Sequence, residues 1–557
     1  MKLKNQVIRT FRTPIFSSLP GYFFLESQFL KKLGFLGILF LGFPGFVWAQ
    51  TFPSPYDFNT YSRIDDTLYS THYKIHTSLK PYLMQDSLVQ KALDTLQSPR
   101  FKGNMNNFLI RKLYNEHLVE FGKGDYSFYL DFYPDFTLGK EFPIGRTLFT
   151  NSRGFQLGGK IGKQVYFQTN YFTDQAKFPI YLTQFIQSHN IVPGQGYIKP
   201  YGKDGFDYAN AEGFISYTPS KYFTFQLGNG KNFIGDGYRS LILSDNSFSY
   251  PYFKIITTVG PFRYLNMWTQ MTDIHDIPFN DSIAYPKKFG IFQYLDWTIG
   301  HHITLGFFQN IMMEPRGTEM NYWNPLIFLI PVQFSIGSPD KATLGFTGNY
   351  KFLNHYDLYG QLIINEFTIS KVFGDPGYWA NKQAFQLGIK AFDFLGIPHL
   401  NILLEHNQVR PFTYSAGSIL KNYAHYNQAL GDPFGANFKE TLGIFQYSIG
   451  RFSFREEILY CFYGEEDPSN PNISYGHDLY KPYTERASNE GYFIGAGIPT
   501  HLWFNDLKAS YTLNYKNNLR LEMGLTNRSL SSSNTNNSTS ILTLGIKGSF
   551  RNFYYDF

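Results

Sequence analysis

The stretch Asn505-Asp-Leu-Lys-Ala-Ser-Tyr-Thr-Leu-Asn-Tyr-Lys-Asn-Asn-Leu-Arg-Leu-Glu-Met-Gly-Leu-Thr-Asn-Arg528 decides the fold. Leu519, Leu521, Met523 and Leu525 alternate with Arg520, Glu522, Gly524 and Thr526. Successive side chains of a strand point to opposite faces, so one face is apolar and the other polar or small. Asn517-Asn518 alone joins this strand to one at 505–515, whereas 529–540 separates it from one at 541–550. Short links alternating with long ones are the wiring of a transmembrane β-barrel. A soluble sandwich also alternates, but has no reason to put every long connection on one side.

The pattern extends backwards through the chain. Phe385, Leu387, Ile389 and Ala391 alternate with Gln386, Gly388 and Lys390, and Tyr126, Phe128, Leu130 and Phe132 alternate with Ser127, Tyr129, Asp131 and Tyr133. Strands are expected near 126–133, 153–160, 164–173, 207–217, 221–227, 252–259, 262–271, 289–298, 302–311, 342–352, 355–365, 383–394, 399–410, 440–449, 451–463, 505–515, 519–528 and 541–550. The long connections are then 134–152, 174–206, 228–251, 272–288, 312–341, 366–382, 411–439, 464–504 and 529–540. The expected fold is all-β, a transmembrane outer-membrane β-barrel of about 18 antiparallel strands over 126–557. Its long loops would be extracellular and both termini periplasmic. The closing Phe553-Tyr-Tyr-Asp-Phe557 reads as the aromatic end that barrel-insertion machinery recognises, although the parity shifts between Phe550 and Phe553.

Composition agrees. Of 557 residues, 17% are charged and 19% aromatic, with 58 Phe and 43 Tyr. Chains this aromatic do not stay disordered. Past the N-terminus no uninterrupted apolar run reaches the roughly 18 residues of a membrane helix. The single Cys461 excludes a disulfide framework and a Cys-based metal site. Residues 1–49 read as an export signal: a basic segment, an apolar run from Leu33 to Phe46, and cleavage after Ala49. That segment holds six basic residues and one acid, which leaves 43 against 42 and a net charge of +1, so nucleic acid is no expected partner. Residues 50–125 read as a small, partly helical periplasmic region. Leu88, Ala92 and Leu96 fall at helical spacing in 81–96, and Leu109, Leu113 and His117 in 107–118.

Three long-loop stretches stand out. One runs from Gly228 to Asn246 and contains Gly235-Asp-Gly-Tyr-Arg-Ser-Leu with Leu243-Ser-Asp245; its four glycines have the spacing of a phosphate loop, but no helix pattern and no Gly-Lys-Ser/Thr follows. The second is Asn324-Pro with Phe334-Ser-Ile-Gly-Ser-Pro-Asp340, and the third Arg410-Pro-Phe-Thr-Tyr414 with Gly435-Ala-Asn-Phe438. Together they resemble the Wzi-type capsule-assembly family of outer-membrane proteins, and more closely its RemB-like gliding-motility branch. The resemblance implies an 18-stranded barrel with periplasmic helices and a surface that holds polysaccharide. Two departures are present. Ala416-Gly417 and Gly431-Asp432-Pro433 stand where that branch usually carries histidines.

Sugars offer C–H faces that stack on rings and hydroxyls that pair with planar polar groups. Tyr238, Trp323, Tyr414 and His425 suit stacking, and Arg239, Asp245, Asn324, Arg410 and Glu440 suit hydrogen bonding. Arg239, Asp245 and Arg410 equally suit ion pairs that pin loops over the barrel mouth. No catalytic constellation emerges: Glu456 and Glu457 are adjacent on a strand and face opposite ways. His301-His302 lacks further metal ligands, and Glu465-Glu-Asp467 reads as a solvated cluster or a weak Ca²⁺ candidate. The expectation is a non-enzymatic barrel without cofactor or metal. It would bind or organise surface polysaccharide among outer-membrane lipid, and support gliding. A diffusion porin, or an accessory of a secretion or adhesin-display machine working through protein partners, are the alternatives.

Overall fold

The computed structural model describes residues 56–557 apart from 84–85, 98–105, 276, 278–283, 317–318, 338–339 and 367–368. The expected export signal at 1–49 lies outside the described residues. Eighteen antiparallel strands close into one barrel. They are β1 Tyr126–Phe142, β2 Arg146–Ile161, β3 Val165–Lys177, β4 Gly205–Ser220, β5 Phe223–Gly230, β6 Tyr250–Val259, β7 Phe262–Thr272, β8 Lys287–Ile299 and β9 Ile303–Met313. The second half comprises β10 Lys341–Phe352, β11 Tyr356–Glu366, β12 Lys382–Ala391, β13 Leu400–Val409, β14 Phe438–Ile449, β15 Phe452–Glu465, β16 Ile498–Asn514, β17 Leu519–Ser532 and β18 Asn536–Gly548. Each pairs with its neighbours in sequence. The seam closes where Ser540 to Lys547 of β18 face Phe142 to Asp135 of β1. Along the rest of that edge, Val119–Lys123 pairs with Leu130 to Tyr126, so a second short strand completes the seam.

The three alternating stretches face as expected. Leu138, Leu387, Met523 and Leu544 are more than half exposed on the outer wall, and Asp131, Gln386, Lys390 and Glu457 are buried inside. An apolar outer belt and a polar interior are what a bilayer requires.

The structure departs from the expected connections most at two of them, and β16 also begins at Ile498, inside the expected 464–504 connection. Residues 134–152 and 529–540 are mostly strand: β1 and β2 run on to a tight turn at 143–145, and β17 and β18 to one at 533–535. The Ser/Asn run pairs rung by rung, with Arg528 opposite Thr539 and Leu530 opposite Asn537. Backbone pairing needs no apolar side chain, so β17 and β18 continue through the Ser/Asn run, where the sequence loses its alternation.

A barrel this wide leaves a lumen that must be filled or wet. Three segments fill it. The first enters from the short-turn end. Ser62 Oγ donates to Gln446, Lys351 Nζ reaches the Leu68 carbonyl at 3.1 Å, Lys390 pairs with Asp65 at 2.9 Å and Arg263 with Asp86 at 3.1 Å. Residues 56–97, with helix α1 Ser87–Gln97, therefore pack into the barrel, and Val89, Ala92 and Leu93 bury one face of α1. Helix α2 Phe108–Tyr114 starts at Asn107, whose side chain accepts from the Leu109 and Ile110 amides.

The second segment is 231–249, folded inward from the long-loop end. The third is the tail 549–557. β18 stops at Gly548, and the tail turns back up the lumen. Arg551 pairs with Asp174 at 3.4 Å, and the Phe557 ring lies 4.7 Å from Phe185 of helix α3 Ile180–His189, in the long connection after β3. The C-terminus thus lies at the long-loop end of the lumen, not at the short-turn rim. The parity shift after Phe550 marks this reversal.

Candidate functional site

Segment 231–249 meets the N-terminal segment in mid-lumen. Phe233 and Ile234 pair with Lys80 and Leu79, and the Gly235 amide donates to the Ser78 carbonyl at 2.8 Å. Asp236, fully enclosed, accepts from Tyr69 Oη at 2.7 Å, Thr77 Oγ1 at 2.6 Å and Ser78 Oγ at 3.0 Å. Glu405 of β13 then accepts the amides of Tyr238 and Arg239 at 2.9 and 3.1 Å, and Tyr359 Oη at 2.7 Å. The Leu241 amide donates to Gln361 at 2.8 Å. The polar holds on the segment come from the barrel wall, from the other filling segments and from the 410–437 connection, where the Ser244 amide donates to the Leu430 carbonyl at 2.7 Å.

Arg239 is the node. Its side chain is fully buried between the Tyr238 and Tyr554 rings, 5.1 and 5.2 Å from its guanidinium carbon. Its Nη2 lies 2.6 Å from Asp556 Oδ2, and its Nε 3.2 Å from Glu440 and 3.8 Å from Asp432. One side chain therefore ties 231–249, the 410–437 connection, β14 and the tail together. Burial, with Glu440 alongside, pushes the Asp432 carboxyl well above its ordinary range against the pull of Arg239. Asp245 makes a second tie to the tail, accepting from Asn552 Nδ2 at 2.7 Å and Tyr554 Oη at 2.8 Å.

The remaining candidates scatter. Tyr414 is fully buried and donates to the Leu241 carbonyl at 2.7 Å. His425 accepts the Thr272 amide on Nδ1 at 3.0 Å and lies 3.3 Å from the Ser249 carbonyl through Nε2; burial pushes its pKa down to about 3. Arg410 donates to the carbonyls of Asn381 at 2.8 Å, Pro376 at 2.5 Å and Tyr492 at 3.1 Å, and so pins two neighbouring loops to its own without a carboxylate.

Trp323 and Asn324 are elsewhere altogether. Residues 319–337 fold down on the outer wall. They cover the outward-facing Ile291, Ile311 and Met313 with Tyr322 and Leu329. The Leu329 amide, at the start of helix α4 Leu329–Ser335, donates to Gln309 at 3.0 Å, and Gln309 donates to Gln293 at 2.6 Å. Trp323 stacks 6.0 Å from outward-facing Trp268, and Asn324 is exposed, accepting the Leu326 amide at 2.9 Å. This is the interfacial position aromatic girdles occupy.

The sequence candidates thus form a seal rather than an open face. Tyr238, Arg239, Asp245 and Glu440 converge, and they converge in burial. Glu405, Asp432, Tyr554 and Asp556 belong to the seal and were not singled out by sequence; Asp432 stands at one of the departures from the resembled branch. Of the weaker candidates, Glu466 accepts the amides of Tyr475, His477 and Asp478 at 2.9, 3.1 and 3.2 Å, which commits it to its own loop. His302 Nδ1 lies 2.9 Å from the Lys351 carbonyl.

Above the seal, at the long-loop end, is a groove of about 460 Å³. It lies between α3, residues 427–435 and 465–480, Arg528 and Phe557. Rings are grouped along it: Phe185 stacks on His189 at 4.0 Å, and Tyr463 lies 5.3 Å from His477 and 5.7 Å from Phe434. Glu465, Asp478, Asn427 and Gln428 stand among the rings.

A closed antiparallel barrel with an apolar belt, a polar interior and one end of long loops defines an outer-membrane β-barrel. No family model and no curated protein matches the chain. Among solved structures it is similar to Wzi of Escherichia coli, described as a carbohydrate-binding barrel involved in group 1 capsule assembly. The match has 16% identity, a TM-score of 0.53, and covers 89% of this chain and 99% of that one. The OprD barrel of Pseudomonas aeruginosa aligns over 75% of this chain and 94% of its own, at 10% identity and a TM-score of 0.40. At these identities the likeness to Wzi concerns the fold.

Proposed function

We propose that this barrel is a non-enzymatic holder of cell-surface polysaccharide. The long loops face the cell exterior, the N-terminal segment enters from the periplasm, and the role serves capsule or exopolysaccharide assembly and gliding. The observation that carries the reading is the groove of rings and carboxylates lying directly over a sealed lumen. Rings offer a surface for C–H faces, and Glu465, Asp478 and Asn427 accept and donate to hydroxyls. The porin alternative requires solutes to pass three filling segments that are tied to the wall and to each other by buried ion pairs. A secretion or adhesin-display accessory predicts a stoichiometric protein partner on detergent extraction.

The test is polysaccharide retention by cells whose only copy of the barrel carries Phe185→Ala or Glu465→Gln. Loss of a stacking ring worth about 1 kcal/mol lowers retention about fivefold. Wild-type retention by both variants, with the barrels folded, sinks the reading.

A further inference from the structure

A second cavity, of about 450 Å³, occupies the other end of the lumen. Its lining reaches from Lys160–Val165 at a short turn, past Tyr82 and Gln90 of the N-terminal segment, to Lys231, Asn232 and Asp245 in mid-lumen. It therefore connects the short-turn rim to the underside of the seal.

The charge of this cavity is one-sided. Lys80, Lys160, Lys163, Lys231 and Lys254 line it, and none has a carboxylate within ion-pair distance among the described residues. Lys254 is the sharpest case. It points inward from β6, is 6% exposed, and its ammonium has the Asn232 side-chain oxygen at 2.8 Å as its hydrogen-bond partner. Lys231 donates to the Asp245 carbonyl at 3.0 Å, and Lys80 to the Gly235 carbonyl at 3.0 Å, over the Tyr56 and Phe233 rings and with Asp236 in its electrostatic reach. Of the acids, Asp245 is held by the tail, and Glu212 accepts from Asn210 at 3.2 Å.

An enclosed ammonium without a counter-charge is costly, and one neutral carbonyl-type oxygen does not offset that. Enclosed Lys80 and Lys254 and half-buried Lys231, with half-buried Lys160 and exposed Lys163 at the rim, surround an empty volume, and that is the arrangement an anion completes. The rest of the lining names the kind of anion. Gln168, Asn170 and Gln226 offer planar amides, and the Asn170 side-chain oxygen is buried without a hydrogen-bond partner. Tyr166 and Tyr252 offer ring faces.

We propose that this lumenal pocket binds a short acidic saccharide, with the lysines taking its carboxylates and the amides its hydroxyls, entered from the short-turn rim. The anionic class follows from the lysines alone; the saccharide class rests on the surface-polysaccharide reading above. The pocket would admit acidic chain ends on the inner side while the groove holds polymer on the outer side.

The experiment is calorimetric titration of the full detergent-solubilised barrel with trigalacturonate, maltotriose and inorganic phosphate, on wild type, K254Q and the double variant K160Q/K163Q. Fold is checked by resistance of each barrel to dissociation in cold detergent. Trigalacturonate should bind at least tenfold more tightly than maltotriose, and each lysine variant should weaken it about tenfold, the worth of one charged hydrogen bond. Absence of trigalacturonate binding overturns the pocket, as does equal affinity in the lysine variants. Phosphate binding as tightly as the trisaccharide overturns the saccharide class. If the pocket fails while F185A still lowers polymer retention on cells, the groove reading stands without it; if both fail, both are wrong.

Discussion

Arg239→Ala should convert the sealed barrel into one that conducts ions. The wild-type guanidinium lies within 4 Å of Asp556, Glu440 and Asp432, all buried. Removing it leaves those carboxyls in a low-dielectric lumen with no cation among them. Burial already pushes the Asp432 carboxyl up, and Glu440 and Asp556 lose their nearest cation. Breaking a buried pair by deleting one partner costs about 3–5 kcal/mol. The cheapest relief is for the tail to withdraw, which carries Asp556 to water and frees the 231–249 segment from one of its two ties to the tail. A bias of that size shifts the closed-to-open ratio by roughly a hundredfold to several thousandfold. The assay is single-channel recording in planar bilayers at fixed salt, with hydrogen exchange over 549–557 as a parallel readout. Asp556→Asn removes one carboxylate yet leaves Arg239 facing Glu440, so its open probability should fall between those of wild type and R239A. A silent R239A channel, with the tail as protected as in wild type, would refute the claim that this node holds the lumen shut.

Two further outcomes follow from the same geometry. His425 is held neutral by burial, its pKa pushed down to about 3 against an ordinary 6.5. The unfolded or opened state therefore binds the proton first: the stabilisation is complete above about pH 6.5 and is lost as pH falls. At pH 5 the loss is about 2 kcal/mol. Hydrogen exchange over 424–429, corrected for intrinsic rate, should speed up accordingly between pH 7 and 5, and Asn in place of His425 should abolish the difference; a pH-independent wild type contradicts it. On the outer wall, Leu326 is 84% exposed and Phe334 79%, beside Trp323. A polarity-sensitive dye on L326C, selective because Cys461 is fully buried, should emit as in hydrocarbon and be quenched by bromine-labelled acyl chains. Water-like emission in bilayers would place this segment away from the lipid.

The barrel was legible because a bilayer imposes a period of two on every strand that crosses it. Leu521, Met523 and Leu525 face lipid and Arg520 and Glu522 face the lumen, and no tertiary contact can invert that without burying charge in hydrocarbon. Legibility stops where the bilayer stops. Ser529–Ser540 has no apolar face and was read as a loop, yet it pairs as β17 and β18 because the ladder there needs only backbone. The outward-facing Gln293 and Gln309 are the converse. They break the apolar stripe of β8 and β9, and the break is the trace left in sequence by a segment that folds over them.

The site was harder to read for a different reason. Arg239, Asp245 and Glu440 have the composition of a sugar site, and the composition of a seal is the same: planar donors, carboxylates and tyrosines. What separates the two is whether partners saturate those groups, and the partners lie far away in sequence. Asp556, which pairs with Arg239, is 317 positions on. The tail that carries it also ends in aromatics, which suits an insertion signal as well as a plug, and Phe553 and Tyr555 stack at 5.8 Å inside the lumen. Only the parity shift after Phe550 distinguished the two, because a last strand cannot change parity without leaving the wall or bulging. The consequence is specific to wide barrels. With eighteen strands the inward-facing charges of opposite walls are too far apart to pair with each other, so each finds its partner along the wall, as Arg520 and Lys547 find Glu522, or on a filling segment. Lys390 finds Asp65, Arg263 finds Asp86 and Glu440 finds Arg239. Inward charges that find none, foremost Lys254, are therefore the places where the lumen is built for something the chain does not itself supply.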